Sequence, residues 1–164
     1  MEHAVGFVLR KVRKMGREHQ VLDEYGRVCY HVKQQLFSFG KKIRVFDVEG
    51  REVALVRGDF SLIVPKYRVC IDGEEPFMVK RKFSLAADYV ISGRPWAVYG
   101  SVNQYRCFDA DRDDYIVFEL QSATNSWTDR FYIDVFDVEH SLSAICVAIA
   151  IHAAVDDIRK KNHK

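Results

Sequence analysis

The chain has 164 residues, of which 48% are hydrophobic and 29% are charged, and its 25 Lys and Arg against 23 Asp and Glu give a formal net charge of +2. This length and composition are typical of one globular domain with its own core, and they exclude collagen-like, disordered and disulfide-scaffold proteins. The small net charge hides an uneven distribution, because residues 1–82 hold 17 bases and 11 acids whereas residues 83–164 hold 8 bases and 12 acids. The bases of residues 1–82 are therefore the first candidates for contact with an anionic partner.

The predicted elements are mostly short strands. Alternation of apolar and polar residues, rich in β-branched and aromatic side chains, predicts about a dozen of them before residue 138. They are Val5–Val12, Gln20–Tyr25, Val28–Val32, Ile43–Asp47, Val53–Arg57, Ser61–Val64, Arg68–Ile71, Phe77–Arg81, Tyr89–Ser92, Trp96–Tyr99, Tyr105–Asp109, Tyr115–Leu120 and Phe131–Phe136. So many short strands favour a closed barrel or a sandwich.

A repeated hairpin pattern supports an antiparallel arrangement. The segment 21–28 recurs 24 residues later as 45–53, again in degraded form at 69–73, and a fourth, looser copy spans 105–118. In each copy a strand runs into an Asp that can bond to its own backbone in a turn, and in the first three a Gly follows that can adopt positive φ. The period matches two strands and two turns of a meander.

The C-terminal segment predicts a helix. Ser141 can cap it, and apolar residues occupy every face from Ala144 to Ile151, so the helix must be buried. The unbroken apolar run of about 12 Å is too short to cross a bilayer, so no transmembrane span is expected. We expect this helix, over 141–158, to fill a barrel formed by 1–137 within a single domain, and its removal to unfold the protein.

The order and spacing of these features resemble the LURP-one-related family. The similarity rests on the hairpins at Asp23–Gly26 and Asp47–Gly50, the Lys-Tyr-x-Val segment at Lys66–Val69, and the closing apolar helix. Members of that family resemble the tubby C-terminal domain and the phospholipid scramblases. The resemblance implies a twelve-stranded antiparallel barrel around a central hydrophobic helix, and through the tubby domains it implies binding of phosphoinositide headgroups by basic surface residues. It implies no enzyme chemistry.

Metal and catalytic signatures are weak. The segment Asp109–Asp113 begins like a calcium loop, but Leu120 stands where the bidentate Glu belongs, and His140 and His152 have no close third ligand. We therefore expect no enzyme, metal or cofactor. Reduced thiols in a cytoplasmic protein, at most peripheral to a membrane, are expected because the four cysteines are widely spaced; they are Cys29, Cys70, Cys107 and Cys146.

Three groups of bases are the candidates for an anion or lipid site, and one of them is Arg10–Arg17. The expected ligand-binding residues come from the other two groups and are Lys41, Lys42, Arg44, Lys80, Arg81 and Lys82. Their partner would be an anionic phospholipid or membrane surface. The solvated faces of half-buried strands are the simpler interpretation of these bases, and an anionic partner is the sharper one. A protein-interaction or structural domain anchored by Trp96, Trp127 or Phe39 is the alternative function, and no specific nucleic-acid binding is expected.

Overall fold

A computed structural model describes residues 4–12, 18–37, 40–59, 64–82, 87–101, 103–122 and 130–162, with the side chains of 36, 37, 59 and 159–162 left out. The described part of the chain contains twelve strands and one long helix. The strands are β1 (Val5–Lys11), β2 (Glu18–Asp23), β3 (Val28–Phe37), β4 (Gly40–Asp47), β5 (Glu52–Asp59), β6 (Lys66–Ile71), β7 (Phe77–Arg81), β8 (Tyr89–Ser92), β9 (Trp96–Gly100), β10 (Gln104–Asp109), β11 (Tyr115–Ser122) and β12 (Arg130–Val135). Short 3₁₀ turns span Ala110–Arg112 and Val138–His140, and helix α1 runs from Ser141 to Asn162.

The strands form a closed barrel. Each strand pairs antiparallel with its neighbours in the chain, and β1 pairs with β12 to close the ring. The predicted mainly β fold, an antiparallel barrel with a C-terminal helix, is confirmed. The predicted segment Ser61–Val64 lies almost entirely outside the described residues.

The barrel has two chemically different ends. We call the first the turn end: the connections 24–27, 48–51, 72–76, 93–95 and 110–114 lie there, and the chain enters α1 there, where the His140 ring lies 5.2 Å from that of Trp96 in β9. The opposite end, where α1 finishes, is called the exit end. Alternate connections of an antiparallel meander necessarily share an end, so this division follows from the strand order alone.

The repeated hairpins form as the sequence predicts. Asp23 Oδ1 accepts hydrogen bonds from the backbone N–H groups of Tyr25 and Arg27, both at 2.9 Å. Asp47 repeats this two strands later with Glu49 and Arg51. The glycines of the first three turns have φ between 77° and 85°, and in the fourth copy Asp113 and Asp114 adopt positive φ instead.

Helix α1 lies inside the barrel. It contacts β5, β6 and β7 on one wall and β11 and β12 on the opposite wall. Residues 143–151 are all buried. Over Val138–Ile158 the chain is long and apolar enough to cross a bilayer by length and composition, but 61% of the most apolar stretch is buried inside the protein. The strands of the barrel therefore account for the apolar character of the helix.

Two glycines near the exit end leave room for aromatic rings on the neighbouring strands. Gly58 lies opposite Tyr67, and a Cβ on it would come within 2.2 Å of that ring. Gly100 lies opposite Tyr105 in the same way, with the ring 2.5 Å from an added Cβ. Only glycine leaves room for a ring lying flat across the neighbouring strand. These pairs position the two tyrosines at the exit end of the barrel interior.

Candidate functional site

The alternation of strand faces separates the basic residues that the sequence groups together. Lys41 points into the barrel and is 2% exposed, whereas its neighbour Lys42 lies on the outer face. In β7, Lys80 is exposed and outward, while Arg81 lies opposite the buried Tyr89. The two doublets are therefore each divided between the interior and the surface.

Lys41 belongs to a buried polar cluster at the exit end. Its Nζ lies 2.6 Å from Asp157 Oδ1 of α1. The other carboxylate oxygen of Asp157 accepts a short hydrogen bond from the Tyr67 hydroxyl. Burial, reinforced by the charge of Asp157, raises the pKa of Tyr67 above its ordinary value of 10, so the hydroxyl stays protonated and donates. The cluster thus joins the end of the helix to β4 and β6.

Two more tyrosines surround this cluster. The Tyr89 and Tyr105 rings lie 6.0 Å apart at their centroids, and burial raises the pKa of both hydroxyls. The positive charge of Arg81 opposes that increase in the pKa of Tyr89. Since Asp157 already neutralises Lys41, this interior cluster functions as a clamp on α1 and leaves the Lys41 charge unavailable to an external anion.

The outer face presents a different set of bases. Strand register places Lys42 opposite Arg57, and Arg57 opposite Arg68, on β4, β5 and β6. Beside them Lys66 of β6 lies opposite Lys80 of β7. We call these five residues the basic ladder. Side chains directly opposite each other on one face lie about 5 Å apart, so the ladder concentrates positive charge on one side of the barrel near the exit end.

Four of the ladder residues are exposed bases, and the strand register places one acid, Asp59 of β5, opposite Lys66. Within the described side chains, no ion pair involves Arg57, Arg68, Lys66 or Lys80, although all four are exposed. Five arginines elsewhere on the surface each have a carboxylate partner. These pairs are Arg27–Asp23, Arg44–Glu52, Arg51–Asp47, Arg106–Glu119 and Arg112–Asp137. These four ladder residues can therefore contact an external anion without breaking an ion pair among the described side chains.

The juxtaposition of like charges in the ladder works against stability. Like charges directly opposite on adjacent strands repel, whereas opposite charges stabilise the pair. On β10 and β11, by contrast, a cross-strand pair joins opposite charges: the Arg106 and Glu119 side chains are 3.1 Å apart. In the ladder, three cross-strand pairs join like charges: Lys42 with Arg57, Arg57 with Arg68, and Lys66 with Lys80. Lys66 also lies opposite Asp59 of β5. An arrangement that costs stability in the free protein is the kind that a ligand of opposite charge relieves.

Charge is also polarised along the barrel axis. Within the three strand residues nearest the exit end of each strand there are eleven bases and two acids, Glu18 and Asp59. The bases are Arg10, Lys11, Lys41, Lys42, Arg57, Lys66, Arg68, Lys80, Arg81, Arg106 and Arg130. The same positions at the turn end hold no base and five acids, which are Asp23, Asp47, Glu52, Asp109 and Asp134. The turn-end connections add four arginines and ten acids, and those acids are Glu24, Glu49, Asp72, Glu74, Glu75, Asp111, Asp113, Asp114, Asp137 and Glu139.

One group at the turn end has the spacing of metal ligands. Asp137, Glu139 and His140 each offer an atom, and these atoms lie within 4.8 Å of one another. Asp137 Oδ2 already lies 2.6 Å from Arg112 and 3.9 Å from His140 Nε2. The carboxylate is thus engaged by a cation of the protein, and the group resembles the surface acid clusters common in proteins.

Comparison with known proteins identifies the family of the chain. A family model described as LURP-one-related matches residues 5–152. The chain belongs to the LURP-one-related family. The uncharacterized protein YxjI of Bacillus subtilis is 22% identical to it over 148 residues, 88% of each chain. The X-ray structure of an Arabidopsis thaliana protein matches with a TM-score of 0.63 at 19% identity, covering 96% of this chain and 93% of that one, which shows a shared fold.

The ladder of this LURP-one-related protein overlaps only partly with the residues expected from sequence. Lys42 and Lys80 belong to it, whereas Lys41 and Arg81 face the interior and Arg44 pairs with Glu52 at 2.8 Å. Lys82 lies just beyond β7, with its Nζ 5.8 Å from the centroid of the Tyr99 ring. Sequence reasoning missed Arg57, Arg68 and Lys66. Their positions on the outward register of β5 and β6 were the available signal.

The structure also tests the aromatic residues expected to anchor a protein partner. Trp96 is 5% exposed and packs edge-on against Phe77 and Phe118, so it is part of the core. Trp127 and Phe39 lie outside the described residues. Of the three expected anchors, the one that the structure describes is therefore unavailable to a protein partner.

A pair of histidine rings lies inside the LURP-one-related barrel. The His19 ring of β2 lies 5.3 Å from that of His152 in α1. Burial lowers the pKa of His19 from 6.5 to about 4, His152 and Lys11 lower it further, and Asp156 opposes them. The folded state therefore binds this proton less readily than the unfolded chain. Stability contributed by neutral His19 is fully present above pH 6.5 and is lost as the pH falls toward 4.

We expect this histidine to destabilise the fold by up to about 3 kcal/mol between pH 6.5 and pH 4, since each unit of pKa shift corresponds to about 1.4 kcal/mol. Urea unfolding of the wild type and of His19→Gln across this range measures the effect. The variant should lose less stability than the wild type on acidification. Parallel curves would show that the burial of His19 does not control the dependence.

Proposed function

We propose that this LURP-one-related protein is a non-catalytic binding module whose basic ladder binds the headgroups of anionic phospholipids. The observation that carries the proposal is the set of three like-charged cross-strand pairs, from Lys42 through Arg57 to Arg68 and from Lys66 to Lys80. Phosphate oxygens would accept charge-assisted hydrogen bonds from these side chains.

The strength expected of such a site is moderate. Each Lys or Arg close to an anionic membrane surface contributes about 1 kcal/mol, so the five ladder residues together supply about 5 kcal/mol before any other contact. The attraction decays over a Debye length of about 8 Å at physiological salt. Binding should therefore weaken steeply as salt is raised, which distinguishes it from insertion of apolar side chains into the bilayer.

The proposal predicts a large effect of removing two ladder arginines. Arg57→Gln/Arg68→Gln should weaken binding to phosphatidylserine vesicles about 30-fold, because two contributions of about 1 kcal/mol are lost. Vesicle co-sedimentation at a series of salt concentrations measures this loss. Removing the repulsion should leave the thermal stability unchanged or slightly higher, so weakened binding could not be attributed to unfolding.

A matched variant controls for net charge. Arg27→Gln/Arg51→Gln also removes two positive charges, but from turn-end arginines that pair with Asp23 and Asp47. It should bind vesicles nearly as well as the wild type. Equal weakening by the two double variants would mean that net charge alone drives binding, and the ladder would lose its role. Vesicles of equal charge carrying a phosphoinositide show whether phosphorylated inositol is preferred over phosphatidylserine.

A further inference from the structure

We infer that the charge polarity along the barrel axis sets how the protein sits on an anionic bilayer, with the exit end toward the lipid and the turn end away from it. This inference rests on the proposed lipid binding and adds the orientation of the bound barrel. Its basis is the distribution of charge between the two ends, which extends around the ring beyond the ladder.

The exit end is basic on strands far from the ladder. Arg10 of β1 and Arg130 of β12 lie within its last three strand positions, as does Arg106 of β10, whose charge is paired with Glu119. Strands β11 and β12 stand opposite β5 and β6 in the twelve-membered ring. Positive charge thus surrounds the exit end, although it is densest at the ladder.

Helix α1 adds to this polarity. The position of its last turns is fixed at the exit end, because Asp157 contacts both Lys41 and Tyr67 there. The sequence continues with Arg159, Lys160 and Lys161 in those turns. These turns thus hold three bases of the sequence beside two acids, Asp156 and Asp157, and Asp157 is paired with Lys41 inside the barrel.

The turn end carries the opposite charge. Its connections hold acids such as Glu24, Glu49 and Glu74, all exposed. An anionic surface attracts one end of such a molecule and repels the other, so it exerts a torque as well as an attraction. A barrel lying flat on its ladder would hold part of the acidic end near the lipid, and tilting onto the exit end moves those acids away.

Spin labels at three outward, uncharged positions test this orientation. Gln35 of β3 at the exit end and Ser92 of β8 at the turn end flank the ladder on either side, while Gln121 lies at the exit end on the opposite wall. Single cysteines at these sites, in a Cys29→Ser/Cys70→Ser background, would carry nitroxides. The probe is a phosphatidylserine vesicle with a small fraction of nickel-chelating lipid, which enhances nitroxide relaxation only close to the membrane surface.

The expected pattern is several-fold greater relaxation enhancement at Gln35 and Gln121 than at Ser92. Equal enhancement at Gln35 and Ser92 with little at Gln121 would mean that the barrel lies flat on its ladder, which overturns the orientation and leaves the proposed function intact. Failure of all three labelled proteins and of the unlabelled wild type to bind the vesicles would overturn both.

Discussion

Asp157→Asn is expected to lower the free energy of unfolding by about 3–5 kcal/mol, because it leaves the Lys41 ammonium, 2% exposed, without its counter-charge inside the barrel. It also weakens the acceptor of the Tyr67 hydroxyl. Both effects release the end of α1 from β4 and β6. Chemical denaturation of the wild type and the variant at neutral pH measures the loss.

Two comparisons give this result its meaning. Glu52→Gln breaks the exposed ion pair with Arg44, 2.8 Å long, and should cost less than about 1 kcal/mol. Replacing both clamp residues with apolar ones, as in Lys41→Met/Asp157→Leu, should restore most of the stability lost by Asp157→Asn. If Asp157→Asn cost no more than Glu52→Gln, the clamp would not stabilise the folded protein.

Ile145→Ala should destabilise the protein by about 2–5 kcal/mol, since this residue of α1 is fully buried between the barrel walls and its truncation leaves a cavity. Val138→Ala, just before the helix and 55% exposed, is the matched truncation and should cost less than about 0.5 kcal/mol. Thermal and urea unfolding of both variants test the contrast. A loss below about 1 kcal/mol for Ile145→Ala would contradict the role of α1 as the filler of the barrel.

The fold could be predicted from the sequence because its signals are local. Apolar residues on every face of 144–151 require burial of the helix, and strand alternation with Asp and Gly turns requires an antiparallel meander. Strand lengths were harder to predict. Strand β3 continues to Phe37 through the polar stretch after Val32, because its pairing with β4 extends to Gly40.

The site was harder to predict from the sequence, because it depends on which face of its strand each base occupies and on contacts between residues far apart in the chain. Adjacent bases such as Lys41 and Lys42 cannot both face water in one strand. Burial of Lys41 becomes tolerable only through Asp157, a residue of the last element, which no local pattern reveals. The ladder, by contrast, follows from the outward register of Arg57 and Arg68.

The separation of charge between the two ends of the barrel was also hard to predict from the sequence. Division of the sequence at residue 82 separates bases from acids only partly, since the acidic turns at Glu49 and Glu74 belong to the basic half. The physical division lies between the two ends of the barrel. It becomes visible once alternate turns of the meander are assigned to one end.

Anionic lipid, as proposed, binds at the basic ladder. The most direct test is to record amide chemical shifts of the protein during titration with phosphatidylserine nanodiscs. We expect the largest perturbations and line broadening at Lys42, Arg57 and Arg68 and at neighbouring exit-end positions of β4 to β7. Perturbations centred on the turn end, or their absence at low salt, would contradict the proposal.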